Sequence, residues 1–253
     1  MAGGLARKDV FRALIIAAIL LPKLAEAKPP GAGARVYSPD VAKGEVEIEA
    51  RGARLAGGIE GGEGVYVYEA AIGVSDWWQS GAVIETENEP DGPVFVEAIE
   101  FENIFKLPRF PGVSVDFGVY AEYELNVEGE ADAIELRWLA EYEKGPFNSK
   151  LNFNVERSFE SGEAFEFGYG AISSVEVFGD VALGMEAFGE FGDAHDFGSL
   201  SRREHYAGPV ALFEIEPEWL PGEVEVEAGY LFGVGAAEAE GQARLLIEWE
   251  FKI

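Results

Sequence analysis

Residues 244–253 read RLLIEWEFKI. Leu245, Ile247, Trp249, Phe251 and Ile253 fall on one parity; Arg244, Glu248, Glu250 and Lys252 fall on the other, with Leu246 the single exception. Side chains on a strand alternate faces with period two, so the stretch predicts a strand with one apolar and one charged side. In a soluble sheet such a terminal strand would be a sticky edge. In a membrane barrel it has a use: the last strand pairs with the first and its apolar face meets lipid. The expected partner is the segment at 44–54, with Val46 and Ile48 facing Trp249 and Phe251 on the lipid side.

The same alternation runs back through the chain. It predicts strands over 44–54, 65–74, 78–87, 94–105, 113–127, 131–144, 147–159, 163–178, 180–191, 204–215 and 223–235 before the closing one. The parity of 94–105 slips near Ala98 and Ile99, which predicts a β-bulge. Gly208-Pro209 interrupts the tenth segment. These lengths suit tilted strands crossing a bilayer, which need about 9–11 residues. The expected fold is all-β: a transmembrane antiparallel up-and-down β-barrel of about twelve strands, with ten or fourteen as alternatives. An even count returns both ends to the periplasm and puts the longer loops, 55–63 and 192–203, outside. Trp77, Trp78, Trp219 and Trp249 then form an aromatic girdle at the periplasmic rim.

The first residues carry a different signal. Arg7, Lys8 and Arg12 precede the apolar run ALIIAAILL at 13–21, and Ala25-Glu26-Ala27 follows. This is the pattern of a secretory signal peptide, residues 1–27, cleaved after Ala27. Residues 28–43, KPPGAGARVYSPDVAK, are rich in Pro, Gly and Ala without periodicity, and read as a flexible periplasmic lead-in to a barrel over 44–253. The chain has no Cys, so disulfides and thiolate metal sites are excluded.

Lys and Arg number 19 against 47 Asp and Glu, a net charge of −28. Residues 1–27 hold four Lys or Arg and two Asp or Glu, so their removal takes −28 to −30. Such a charge excludes nucleic acid as a partner, because that affinity comes from neutralising phosphates. It also disfavours an anion-selective pore. With 13% aromatic and 48% hydrophobic residues the chain is not disordered.

Strand parity sends the acids inward. The expected lumen lining includes Glu47, Glu49, Arg51, Glu122, Glu124, Glu135, Arg137, Glu141, Glu225, Glu227, Glu248 and Glu250, with Arg157 and Lys252 as further counter-charges. Crowded carboxylates need salt bridges, water, cations or protons. The lining therefore reads as a cation-attracting conduit, or as a lumen filled by its own side chains. His195, in the loop Asp193-Ala194-His195-Asp196 near Ser199 and Ser201, is the residue a barrel hydrolase would use; His205 lies near the start of a strand. Neither His is followed two residues later by Ser, and no spacing motif marks a metal or cofactor site, so none is expected. Arg202 and Arg203 are placed to meet lipopolysaccharide phosphates.

The stretches SDWWQSGAVIETENEPDG, VEAIEFENIFKLP, VDFGVYAEYEL, GMEAFGEFGD and HYAGPV, with the closing strand, resemble a group of uncharacterised proteobacterial outer-membrane barrels. They are similar to outer-membrane proteins associated with phenol-degradation pathways. The resemblance spans about Glu45 to Ile253. It implies a passive transporter in the outer membrane of a Gram-negative bacterium, and it carries no catalytic residues. The expected function is a porin-like channel for small solutes, not an enzyme, with a cation-favouring lumen. A plugged structural or surface-interaction barrel and a His195 hydrolase are the alternatives. Expected partners are outer-membrane lipid and lipopolysaccharide, small solutes, and the barrel-assembly machinery acting on the C-terminal strand. Cell fractionation should place the protein in the outer membrane with heat-modifiable gel mobility and an N-terminus at Lys28; a soluble periplasmic protein would contradict this reading.

Overall fold

The structure is a computed structural model and describes residues 29–127 and 129–253; the signal peptide expected over 1–27 lies outside the described residues. Twelve strands form one closed ring: β1 Glu45–Ala56, β2 Gly64–Ser75, β3 Trp78–Asn88, β4 Phe95–Lys106, β5 Asp116–Asn126, β6 Ala133–Lys144, β7 Phe147–Ser158, β8 Glu166–Phe178, β9 Val181–Asp193, β10 Glu204–Ile215, β11 Glu223–Gly235 and β12 Gly241–Lys252. Each pairs antiparallel with its sequence neighbours, and β1 closes on β12. Among the described residues no helix is long and apolar enough to cross a membrane.

The seam between β1 and β12 is a full ladder from Glu45↔Lys252 to Ala56↔Gly241. It contains the pairs expected from sequence, Val46↔Phe251 and Ile48↔Trp249. The bulge lies one residue before its expected place: Glu85 pairs with Ala98 and Thr86 with Val96, so Glu97 is the extra residue. Several strand starts differ: the strand expected from 163 begins at Glu166, and the closing strand expected from 244 begins at Gly241. The strand expected from 113 starts at Asp116, because Pro111-Gly112 extends the preceding turn, where Gly112 takes a positive φ of 79°. β10 runs unbroken through Gly208-Pro209. Both pair with β9, while the ladder to β11 has no register pairs there. Pro has no N–H to give one of its neighbours, and the gap absorbs that loss.

Strand parity divides the molecule into two surfaces. Outward positions are exposed and apolar, as at Ile48, Ile84, Phe101, Leu136, Trp138, Leu151, Met185, Leu245 and Ile247. Inward positions hold the acids and, at places, buried apolar residues. Leu246, the parity exception, is one of the latter. The connections at 76–77, 145–146 and 179–180 join strands at the end where Gly44 and Ile253 meet, here the turn end; those at 57–63 and 194–203 lie at the opposite, loop end. The connections 107–115 and 216–222 make the turn end less spare than a run of two-residue hairpins.

Residues 29–43 are not a flexible lead-in outside the barrel. They lie within it. Ala32, Val36, Tyr37, Pro39 and Val41 are buried. The segment enters β1 at the turn end, where the Gly44 N–H bonds the Gly73 carbonyl at 2.8 Å. Traced backwards it passes Lys106 at Asp40, Asn152 at Tyr37 and Arg244 at Gly31, and reaches Gln242, near the loop end of β12, at Pro30. It packs into two apolar clusters. One joins Ala32 and Val36 to Leu55, Val65, Val67, Val83, Ile172, Phe188, Tyr206, Val210 and Leu231; the other joins Tyr37 and Val41 to Ile104, Tyr120 and Leu139. Sequence reading missed this because the segment has no period: it is neither strand nor helix, and its partners are wall side chains.

The outer face gives a direct test. Ile247 sits mid-strand on β12 and faces outward. Ile247→Arg should destabilise the barrel refolded in lipid vesicles by about 2–4 kcal/mol, with a far smaller loss in the same vesicles for Ile253→Arg at the rim.

Candidate functional site

The interior above the segment is a cavity of about 1180 Å³. Its rim includes Glu89, Pro90 and Glu130 in loop-end connections; its depth is marked by Arg35, Arg51, Glu100, Arg137 and Asn152. Fourteen Glu and three Arg line it. We call it the vestibule. Of the residues expected in the lumen, Arg51, Glu122, Glu124, Glu135 and Arg137 line this cavity. Glu49 and Glu248 sit lower, on the Arg35 guanidinium, which bonds both. Glu47 accepts from Gln79 Nε2 at 3.0 Å. Glu141 accepts from the Ser38 hydroxyl and from Asn148 Nδ2. Glu227 borders a small gap beside Gly33 and Arg244. Glu225 pairs across the ladder with Glu248. Glu250 gathers with Glu45 and Glu47 near the turn end, their carboxylate oxygens within 4.8 Å of one another. Glu100, Glu122 and Glu124 make a second such group, in the vestibule, and Glu214, Glu216 and Glu223 a third; these three could hold a cation by distance.

The floor is built from side chains that recognise backbone. Asn152, on β7, accepts from the Tyr37 N–H at 2.7 Å and donates to the Tyr37 carbonyl at 2.9 Å. Arg51 Nε donates to the Gly33 carbonyl at 2.6 Å. Arg244 reaches the carbonyls of Gly31 and Ala34, and Gln242 donates to that of Pro30 at 2.9 Å. A buried backbone group without a partner is costly, so these donors stand in for the ladder the segment cannot join. Gly31 and Gly33 have φ of 87° and 70°, and a Cβ on either would lie 2.6 Å from Phe188 or 2.7 Å from Val65. Only glycine fits there.

Below this layer the aromatic rings of Tyr37 and Tyr120 lie 4.7 Å apart, and both hydroxyls donate to Glu102 Oε1, at 2.8 and 2.7 Å. Arg137 forks onto Glu135 at 2.8 and 2.6 Å and stands over both rings, at 5.1 and 4.6 Å from their centres.

Several sequence readings are revised. Arg157 is no lumen counter-charge: it pairs with the outward Ile134 and stands over the Phe165 ring at 4.9 Å. Lys252 lies opposite Glu45 at the exposed end of the seam. Arg35 and Arg244 are interior cations that sequence reading missed; the latter is 3.1 Å from Glu186. His195 is exposed, with its ring 3.8 Å from Asp193. The Asp193 carboxylate accepts from the backbone N–H of His195 and Asp196, a turn-forming arrangement. Ser199 and Ser201 face each other at 3.3 Å. His205 is buried beside Tyr169, whose hydroxyl is 3.3 Å from Nδ1.

Trp77 and Trp78 pack with Phe105, Trp249 stacks on Phe251 at 4.3 Å and bonds the Pro221 carbonyl, and Trp219 is exposed in 216–222. All four lie toward the turn end. A second aromatic group, Phe153, Phe167, Tyr169, Phe191 and Phe197, gathers toward the loop end.

No protein-family model and no curated protein sequence matches this chain. Among solved structures it is similar to the Acinetobacter baumannii outer membrane protein Omp33, at 12% identity over 83% of this chain and 98% of that one, with a TM-score of 0.43. It is similar to the outer membrane channel DcaP of Acinetobacter baumannii at 8% identity, over 82% and 96% of the two chains, with a TM-score of 0.34. The loop L8 deletion mutant of OmpT, an outer membrane protein of Vibrio cholerae, aligns at 10% identity over 82% and 98%, with a TM-score of 0.35.

The Asn152 pincer can be tested alone. Asn152→Ala leaves the buried N–H and carbonyl of Tyr37 without partners. It should cost about 1–3 kcal/mol and make residues 29–43 more open to protease, while the strands stay protected.

Proposed function

We propose that this protein is an outer-membrane β-barrel that draws small cationic solutes into the vestibule and serves as a cation-favouring conduit, held closed at its floor by residues 29–43. The observation that carries the reading is the vestibule: about 1180 Å³, open at the loop end, with fourteen Glu against three Arg. A cleft lined by one sign of charge within low-dielectric walls focuses its field and concentrates counter-ions. Rings of carboxylates are how cation channels select.

The membrane setting is supported by the outer surface. Its apolar residues run around the ring while charges are turned inward, the reverse of a water-soluble protein. A closed ring also pairs every wall strand on both sides, leaving no open sheet edge, as a lipid-embedded structure must. The two aromatic groups, one toward each end, suit the two membrane interfaces. The sequence resemblance to outer-membrane proteins associated with phenol-degradation pathways would suit apolar solutes; the acidic lining favours cationic ones. The filled interior also favours a second reading, a structural barrel that passes nothing.

Titration of the detergent-folded protein with spermidine or Ca²⁺ tests the vestibule. Binding should weaken steeply with salt, and the Glu122→Gln/Glu124→Gln variant should bind several-fold more weakly. Any current in planar bilayers under a salt gradient should reverse toward the cation potential. Absence of salt-sensitive binding, or an anion-selective current, would overturn the reading.

A further inference from the structure

We propose that Glu49 and Glu248 form a binding site for a guanidinium or primary ammonium group on the solute, that Arg35 fills this site in the present state as a tethered occupant, and that residues 29–43 are therefore a displaceable gate. The inference deepens the conduit reading and rests on it.

The site is already seen holding a cation. Glu49 and Glu248 lie directly opposite each other on β1 and β12. Like charges in that position repel unless something sits between them. One nitrogen of Arg35, Nη1, bonds both carboxylates. The Tyr37 ring centre lies 5.3 Å from the guanidinium carbon, which adds a π face to the two carboxylates. Of the pair, Glu49 also accepts from Arg51, which belongs to the wall. A cation that replaced Arg35 would therefore find one carboxylate already positioned.

The site can be reached. Arg35 is part of the vestibule lining, and its side chain keeps 15% of its exposure. A cationic solute drawn down the acidic wall arrives at the Arg35 head, the place where competition for Glu49 and Glu248 is decided. The segment that carries Arg35 is held to the wall through side chains, and every wall strand is paired on both sides without it. Its withdrawal breaks no strand pair, so the gate can open while the barrel stays closed as a ring. Beyond the gate the acids continue: Glu45, Glu47 and Glu250 cluster on the turn-end side. A solute released there meets the same chemistry that attracted it.

Single-channel recording in planar bilayers tests this with three proteins: wild type, Arg35→Gln, and a chain lacking residues 29–40. Heat-modifiable gel mobility certifies that each barrel is folded. Arg35→Gln should raise open probability on the order of tenfold to a hundredfold, the size expected from losing charge-assisted hydrogen bonds. The shortened chain should stay open. A synthetic peptide of residues 28–43 added to it should restore closure, and the same peptide with Arg35→Gln should not. Guanidinium or agmatine at millimolar concentration should open the wild type and leave Arg35→Gln unchanged. Should the shortened chain fail to fold, Arg35→Gln and the competition on wild type decide alone. Equal open probability in wild type and Arg35→Gln, with no effect of guanidinium, overturns the gate and leaves the conduit standing. Currents that open as expected but prefer anions overturn the cation reading and leave the gate. Silence from a folded, shortened barrel overturns both.

Discussion

Closure of the ring governs the rest of the structure. Every wall strand has a neighbour on both sides, so no edge is free to pair with anything inside. A polypeptide in the lumen still carries N–H and C=O groups that must be met. The wall meets them with side chains: Asn152 for Tyr37, Arg51 for Gly33, Arg244 and Gln242 for the carbonyls of the first turn. Geometry follows from that choice. The segment bends through Gly31 and Gly33 where it crowds Phe188 and Val65, and at Tyr37 the Asn152 side chain grips both the N–H and the carbonyl of one residue.

The second constraint is electrostatic. An apolar exterior forces the charged half of each strand inward, and here that half is overwhelmingly acidic. Two unit charges about 4 Å apart interact by roughly 4 kcal/mol at the effective dielectric of a protein near solvent, so arginines shared among carboxylates carry great weight. Arg51 bonds Glu49 and Glu69, Arg137 grips Glu135, and Arg244 faces Glu186. Those three belong to the wall. Arg35 does not, and it serves the pair at the seam. The charge balance of the lumen is thus divided between what is fixed in the ring and what is hung on the segment.

The ring was legible in the sequence because a two-residue period survives in it almost everywhere, and because the two ends of the seam show matching apolar faces: the pairing Ile48↔Trp249 follows from parity alone. The vestibule was legible only as a list of inward acids. Which of them face open space and which grip an arginine depends on residues 29–43, and those carry no period. One signal was present. Inward positions that are apolar, such as Val65, Val67, Leu139, Leu231 and Leu246, break the acidic pattern, and all are buried. A lumen wall has no reason to be greasy unless something packs on it. Arg157 faces outward because it shares the parity of Val155 and Phe153; read from sequence, its charge points inward but its phase does not.

The course of residues 29–43 also changes the count of crossings. Twelve strands bring Glu45 and Lys252 to the same end. The interior segment is a thirteenth traverse, and an odd number of traverses leaves residue 29 and residue 253 at opposite ends of the barrel. A peptide epitope inserted just ahead of Pro29 would be displayed at the loop-end mouth, whereas one appended after Ile253 would hang from the other face. The two tags would report on different spaces although both are terminal, and the first would have been threaded through the barrel to get there.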